Sequence, residues 1–130
     1  MRYLIDTHTF LWFVDGSAKL PAAMRNLIED PDVDIRVSMA SFWEIGIKAS
    51  IGKLSLTTNV LGLEKITESQ SMEMLPITVQ AIYEAQHLPH HHKDPFDRII
   101  AATAITMGDV LLSVDAIFDA YGVVRVWRAD

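Results

Sequence analysis

The chain predicts an α/β fold: a three-layer α/β/α arrangement around a central, mainly parallel sheet of four to five strands. Three observations carry that expectation. Short apolar runs alternate with longer segments of helical periodicity along the whole length. Runs such as Tyr3-Leu4-Ile5 and Val110-Leu111-Leu112 are apolar at successive positions, as in strands covered on both faces. Half of the 130 residues are hydrophobic, enough for one domain spanning residues 1–130 to bury a substantial core.

Each element has its own signal. Tyr3-Leu4-Ile5 ends at Asp6-Thr7 and reads as a first, buried strand. His8 to Asp15 carries Phe10, Leu11, Phe13 and Val14 over two turns and stops at Gly16. Pro21 opens a helix, Ala22–Asp30, with Met24, Leu27 and Ile28 on one face. Ile35-Arg36-Val37-Ser38 is a second strand, and a third helix, Ala40 to Ile51, closes at Gly52. Leu61 to Ser69 reads as a helix, and a strand is centred on Met74-Leu75-Pro76-Ile77. Thr78 caps a helix through Gln86. A polar loop, His87 to Lys93, leads to Asp94-Pro95 and to the strongest helix, Phe96 to Met107, ended by Gly108. Val110 to Ser113 is a strand, Ala116–Tyr121 a short helix stopped by Gly122, and Val123 to Trp127 the last strand. Neither a repeat nor a linker interrupts this series.

Composition removes several function classes. No apolar run reaches ~18 residues, so no membrane span is expected. Met1 leads directly into a strand pattern that leaves no room for a signal sequence. The absence of cysteine excludes disulfides, thiolate metal sites and a cysteine nucleophile, and makes the cytoplasm the default location. Eleven Lys+Arg against 17 Asp+Glu give a formal net charge of −6. Broad, sequence-independent nucleic-acid binding favours the opposite sign. An acidic surface also suits a basic protein partner.

Four acids stand at separate strand-to-helix junctions: Asp6, Glu44, Asp97 and Asp115. Open parallel sheets bind ligands beyond the carboxyl ends of their strands, where such junctions gather. Carboxylates held together repel and retain protons unless a cation joins them. Hard divalent cations prefer oxygen ligands, and phosphate esters are their usual substrates. The pattern points to a metal-dependent phosphodiesterase. Each acid also has a local explanation. Asp6 and Asp115 fit helix N-caps, and Ser41-Phe42-Trp43-Glu44 fits a capping box. In Asp94-Pro95-Phe96-Asp97 the natural cap is Asp94, with proline at N1 and Asp97 at N3. Glu44 resists a purely local account, because its neighbours Phe42, Trp43, Ile45 and Ile47 are apolar and a carboxylate among them needs a partner. Lys48, one turn on, serves either as that partner or as a phosphate ligand.

Arg98 sits at a helix N-terminus suited to phosphate, and equally beside Asp94 and Asp97 for an ion pair. Three consecutive histidines, His90, His91 and His92, point in different directions and rarely close on one ion; they read as loop residues or RNA contacts. Asp119, one turn past Asp115, reads as solvated. Trp12, Phe13, Trp43 and Ile47 either fill the core or supply an interface.

Taken in order, Leu4-Ile5-Asp6-Thr7, Ser41-x-x-Glu44, Asp97-x-x-Ile100-Ala101-Ala102-Thr103-Ala104 and Ser113-Val114-Asp115-x-x-Phe118 resemble the successive motifs of PIN-domain ribonucleases. More narrowly, Asp6-Thr7-His8-x-x-Leu11-Trp12, Trp43-Glu44-Ile45 and His91-His92-Lys93-Asp94-Pro95-Phe96-Asp97-Arg98 resemble a VapC-type toxin of bacterial toxin–antitoxin systems. The resemblance runs from Tyr3 to Trp127; its main departure is Ser113, where the family more often has threonine.

The resemblance implies a metal-dependent endoribonuclease using Mg²⁺ or Mn²⁺. Asp6 and Asp97 are then direct ligands, Glu44 and Asp115 complete the shell or act through water, and Thr7 and Ser113 orient carboxylates or water. It also implies an RNA substrate, a cognate antitoxin and a homodimer. Two other readings stand beside it. A phosphoacceptor receiver-like domain needs an adjacent acidic pair and a late lysine, and neither accompanies Asp6 or Asp115. A catalytically dead scaffold acting only by binding would have no need of four acids.

Overall fold

In the computed structural model, which describes residues 1–90 and 94–129, the chain runs β1 (Arg2–Ile5), α1 (Thr7–Asp15), α2 (Ala22–Glu29), β2 (Asp34–Ser38), α3 (Met39–Ser50), α4 (Val60–Ser69), β3 (Glu73–Leu75), α5 (Val79–His87), α6 (Pro95–Met107), β4 (Val110–Leu112), a 3-10 helix (Ala116–Tyr121) and β5 (Arg125–Val126). The five strands form one sheet in the order β3-β2-β1-β4-β5, and every pairing is parallel. The mainly parallel sheet expected is thus wholly parallel. From β1 the chain builds one way through β2 and β3, then returns to place β4 and β5 on the other side. The crevice at this reversal opens beyond the carboxyl ends of β1 and β4, just where Asp6 and Ser113 follow their strands.

Successive strand residues point to opposite faces, so two cores form. Tyr3, Ile5, Ile35, Val37 and Leu112 pack with Phe10, Phe13, Met24, Ile28 and Ile45 from the first three helices. Leu4, Leu75 and Leu111 pack on the other face with Ile100, Ala101 and Ala104 of α6 and with Phe118 and Tyr121. Two helices end on glycines in the left-handed region, Gly16 at φ 63° and Gly108 at φ 69°, a conformation that costs other residues a Cβ clash. Among the described residues no helix is long and apolar enough to cross a membrane.

Several element boundaries differ from expectation. Helix α3 begins at Met39 with Ser38 as its cap, so Ser41 lies inside the helix and the expected capping box with Glu44 does not form. Strand β3 is Glu73–Leu75, stopping before Pro76, which has no N–H to give a ladder. The last strand shrinks from Val123–Trp127 to Arg125–Val126, an edge paired on one side only. The short helix Ala116–Tyr121 is of 3-10 type.

The four residues read as core or interface divide. Phe13 is buried and Trp12 packs edge-on against Trp127. Trp43 and Ile47 face outward, at 62% and 37% exposure.

Candidate active site

Asp6 is at once cap and site residue. It caps α1 through Oδ1, which accepts the Thr9 N–H at 3.0 Å, while Oδ2 accepts the Ser113 hydroxyl at 2.6 Å. The same Ser113 oxygen accepts the Asp115 N–H at 3.0 Å, so one hydroxyl fastens the end of β1 to the residue that opens the 3-10 helix. Burial raises the Asp6 carboxyl above its ordinary range against the lowering effect of Ser113, Thr9 and the nearby His8 charge.

Glu44 is 2% exposed in the middle of α3 and finds its partners outside any local motif. Thr7 Oγ1 lies 2.7 Å from Glu44 Oε1 and 2.9 Å from Ser41 Oγ. A threonine hydroxyl has one proton, and an ionised carboxylate only accepts. Thr7 therefore donates to Glu44 and accepts from Ser41. The other Glu44 oxygen, Oε2, pairs with Lys48 Nζ at 2.5 Å, the i,i+4 alternative anticipated for this lysine. The bond to Glu44 lifts the Lys48 ammonium above its ordinary range, opposed by burial, with Asp94 and Asp97 adding to the rise.

Asp97 shows how tightly the acids gather. Its carboxyl is raised from 3.8 to about 7, first by burial and then by the charges of Asp94, Glu44, Asp6 and Asp115. Carboxylates from four junctions thus share one electrostatic neighbourhood, and removing a proton from one is opposed by the rest. Asp94 caps α6, accepting the Phe96 N–H at 2.9 Å, yet it is also the largest of these charge effects on Asp97. Asp115 caps the 3-10 helix through the Ile117 N–H.

Among the described residues, no three His, Cys, Asp or Glu side chains already close on an ion. The donor set still fits a hard cation. The gathered acids Asp6, Glu44, Asp94, Asp97 and Asp115 offer carboxylate oxygens, the raised Asp97 marks excess negative charge, and Mg²⁺ commonly binds through one or two carboxylates while keeping several waters.

Arg98, read as a phosphate ligand or an ion-pair partner of Asp94 or Asp97, has backbone partners in the structure. The buried guanidinium donates to three carbonyls at the end of α5: Ala85 at 2.6 Å, Pro89 at 2.8 Å and Leu88 at 3.0 Å. Terminal helix carbonyls lack intrahelical partners, and Arg98 supplies them, tying the first turn of α6 to the end of α5. It therefore braces α6, the helix that presents Asp97, against the end of α5. Arg98→Lys, which keeps the charge but loses the forked geometry, should lower stability by about 1.5–3 kcal/mol in urea unfolding. An unchanged unfolding midpoint would contradict this bracing role.

His90 is exposed between α5 and α6, while His91, His92 and Lys93 lie outside the described residues. Asp119 is exposed as expected, but it is held by Arg125, which also donates to the Ser113 carbonyl at 3.1 Å. Ser41, marked in the sequence as a local partner of Glu44, instead completes the Thr7–Glu44 chain. Sequence reasoning missed the buried Thr9, whose hydroxyl donates to the Leu112 carbonyl at 3.2 Å and braces β4 against α1; the alternation Thr7-His8-Thr9 after a strand was its only trace.

The profile of the PIN domain family matches residues 3–124. No curated protein matches the chain. Solved structures share its fold. VapBC2 from Rickettsia felis, bound to a DNA fragment from its promoter, has a similar chain with a TM-score of 0.72 at 16% identity, covering 97% of this chain and 98% of that one. VapBC-1 from nontypeable Haemophilus influenzae gives 0.68 at 20% identity, covering 97% of each chain. VapBC-5 of Mycobacterium tuberculosis, from the VapBC family of toxin–antitoxin systems, gives 0.59 at 22% identity over 96% of this chain and 98% of that one.

Proposed function

Because the chain belongs to the PIN domain family, we propose that it is a divalent-metal-dependent endoribonuclease, the toxin of a toxin–antitoxin pair. The observation that carries the reading is the Asp97 carboxyl, raised to about 7 by burial and by the surrounding acids at the reversal point of the sheet. Family membership replaces the receiver-like alternative, and the retention of all four acids speaks for catalysis over a binding-only scaffold.

Asp6 and Asp97 would hold the ion, with Glu44 and Asp115 completing the site directly or through water. When bound, Mg²⁺ or Mn²⁺ supplies polarisation of the phosphate and a water of lowered pKa. The chain's own work is orientation. The Ser113 hydroxyl fixes Asp6 Oδ2, so that its remaining lone pairs face the crevice in one arrangement. Thr7, oriented by Ser41, fixes Glu44 from one side and Lys48 balances its charge from the other. Supporting groups of this kind are typically worth 10–100-fold in metal affinity or activity. With a metal-activated water as nucleophile, no cysteine or serine–histidine pair is required.

The related structures are toxin–antitoxin complexes, which supports a cognate antitoxin for this chain; a basic segment would complement its acidic crevice. A second copy of the chain suits the apolar groove of about 280 Å³ between α3, α5 and α6, where Trp43, Ile82, Phe96 and Ile99 line a surface without charged groups.

The direct test incubates purified protein with total RNA, with and without Mg²⁺, and maps new RNA ends. Asp6→Asn should abolish the Mg²⁺-dependent ends while leaving the far-UV circular dichroism unchanged. Full cleavage by that variant would end the assignment.

A further inference from the structure

The proposed activity leaves a physical problem. A chain of net charge −6 must hold a polyanion. The two cations best placed by sequence are otherwise engaged, Arg98 with three carbonyls and Lys48 with Glu44. A metal ion neutralises charge at one phosphate, but a strand needs hold beyond it. Single-stranded RNA is commonly held by aromatic rings under its bases, with basic side chains along the backbone.

One face meets both requirements. His8 follows Asp6-Thr7 at the mouth of the crevice, is exposed, and its charge is felt by the Asp6 carboxyl. Its ring lies 6.0 Å from Trp12, one turn along α1, and Trp12 lies 6.2 Å from Trp127 in an edge-on arrangement. Three partly or fully exposed rings thus step outward from the acids across α1 to the C-terminal segment. Exposed Arg128 follows Trp127, its backbone N–H on Met24 Sδ at 3.3 Å, while Arg25 steadies the row from beneath, its Nη2 3.5 Å from the Trp12 and Phe13 carbonyls and its guanidinium over the Phe13 ring. The contrast with the α3–α5–α6 groove is instructive: that surface carries no charged groups and suits a protein, whereas this one interleaves rings and cations.

We infer that His8, Trp12 and Trp127, with Arg128 beside them, form a track for single-stranded RNA leading away from the acidic crevice. It stacks bases beside the scissile phosphate and sets the substrate's affinity. This rests on the ribonuclease reading and adds to it where the strand lies. The rings touch bases and Arg128 faces the backbone; none of the four takes part in the chemistry at the acids.

The test compares wild type, Trp127→Leu and Arg128→Glu on two Mg²⁺-dependent substrates: a single-stranded oligoribonucleotide cleaved by the wild type, and bis(p-nitrophenyl) phosphate, which has no strand to place. Loss of a stacked base should raise KM for the oligonucleotide roughly 5- to 150-fold, the range of base–aromatic stacking, with kcat little changed. Arg128→Glu should also flatten the salt dependence of KM. Hydrolysis of the small ester should be unaffected in both variants. Unchanged KM in both variants, beside an active wild type, overturns the track and leaves the ribonuclease reading standing. A wild type inactive on RNA and on the ester overturns both. If the variants instead keep their RNA KM but dissociate in size-exclusion chromatography, the face binds protein and the inference is wrong.

Discussion

Asp97→Asn is expected to raise the melting temperature of the metal-free protein at pH 8 by several degrees while abolishing RNA cleavage. Both effects have one cause. Burial and the charges of Asp94, Glu44, Asp6 and Asp115 raise the native Asp97 carboxyl to about 7, whereas in the unfolded chain it titrates near 3.8. Between these values the native state holds a proton that the unfolded state has released, so stability falls as pH rises. Below pH ~4 the penalty is absent; above pH ~7 it is complete. Asparagine carries no charge and escapes it. The stability gap between variant and wild type should therefore open from pH 4 to 7 and level off above. Mg²⁺ should close it from the other side, raising the wild-type melting temperature at pH 8 by binding only the native state, with little effect on the variant. Cleavage should fall by more than the roughly 10–100-fold that follows loss of a group merely supporting a metal ligand. Thermal melts at pH 4, 5, 6, 7 and 8, with and without Mg²⁺, check the whole pattern. A variant less stable than wild type at pH 8 would show that the carboxylate is stabilising where it stands.

The position of such acids was legible in the sequence because a parallel α/β chain sends every strand-to-helix junction to one edge. Asp6, Asp97 and Asp115 needed only their strands and helices to be recognised. Asp94 was correctly read as the cap of α6, since Asp-Pro at a helix start is a local signal. The partners of Glu44 were not legible. Its local pattern suggested Ser41, three residues back, but helix α3 begins earlier than that pattern implies, and the hydroxyl that holds Glu44 comes from Thr7 on another element. The carbonyl partners of Arg98 were not legible for a related reason. Its sequence neighbours are acids and a helix start, and nothing nearby discloses that the end of α5 packs against it with three carbonyls in need of donors. Local chemistry marks which residues are special; the destination of a long side chain is decided by elements far away in the chain.

Arg36 extends that lesson and leads to the largest stability effect expected. It stands in Ile35-Arg36-Val37 of a sheet covered on both faces, and is 6% exposed. Its Nη1 pairs with both oxygens of Asp109, at 3.0 and 2.9 Å, and Nη2 with Glu73 at 3.1 Å, while Arg2 approaches Asp109 at 3.3 Å. Asp109 immediately precedes β4, so this network sits toward the amino ends of the strands, away from the junction acids. There a buried aspartate is balanced by two arginines instead of crowded by acids. Its removal should have the opposite sign to that of Asp97. Asp109→Ala leaves Arg36 buried without its main partner, and breaking a buried pair in this way costs about 3–5 kcal/mol, a large share of the ~5–15 kcal/mol that holds a typical domain together. Replacing both partners, Arg36→Met with Asp109→Leu, should recover most of the loss, because neither charge then needs burying; the Arg36 Nε, which lacks a hydrogen-bond partner, goes with it. Urea unfolding of the two singles and the double variant measures the coupling directly. RNA cleavage by the double variant, assayed well below its unfolding midpoint, should match wild type, since no group of this network reaches the acidic crevice. A double variant no more stable than Asp109→Ala would mean that the network holds the strands in register in a way apolar side chains of similar size do not reproduce.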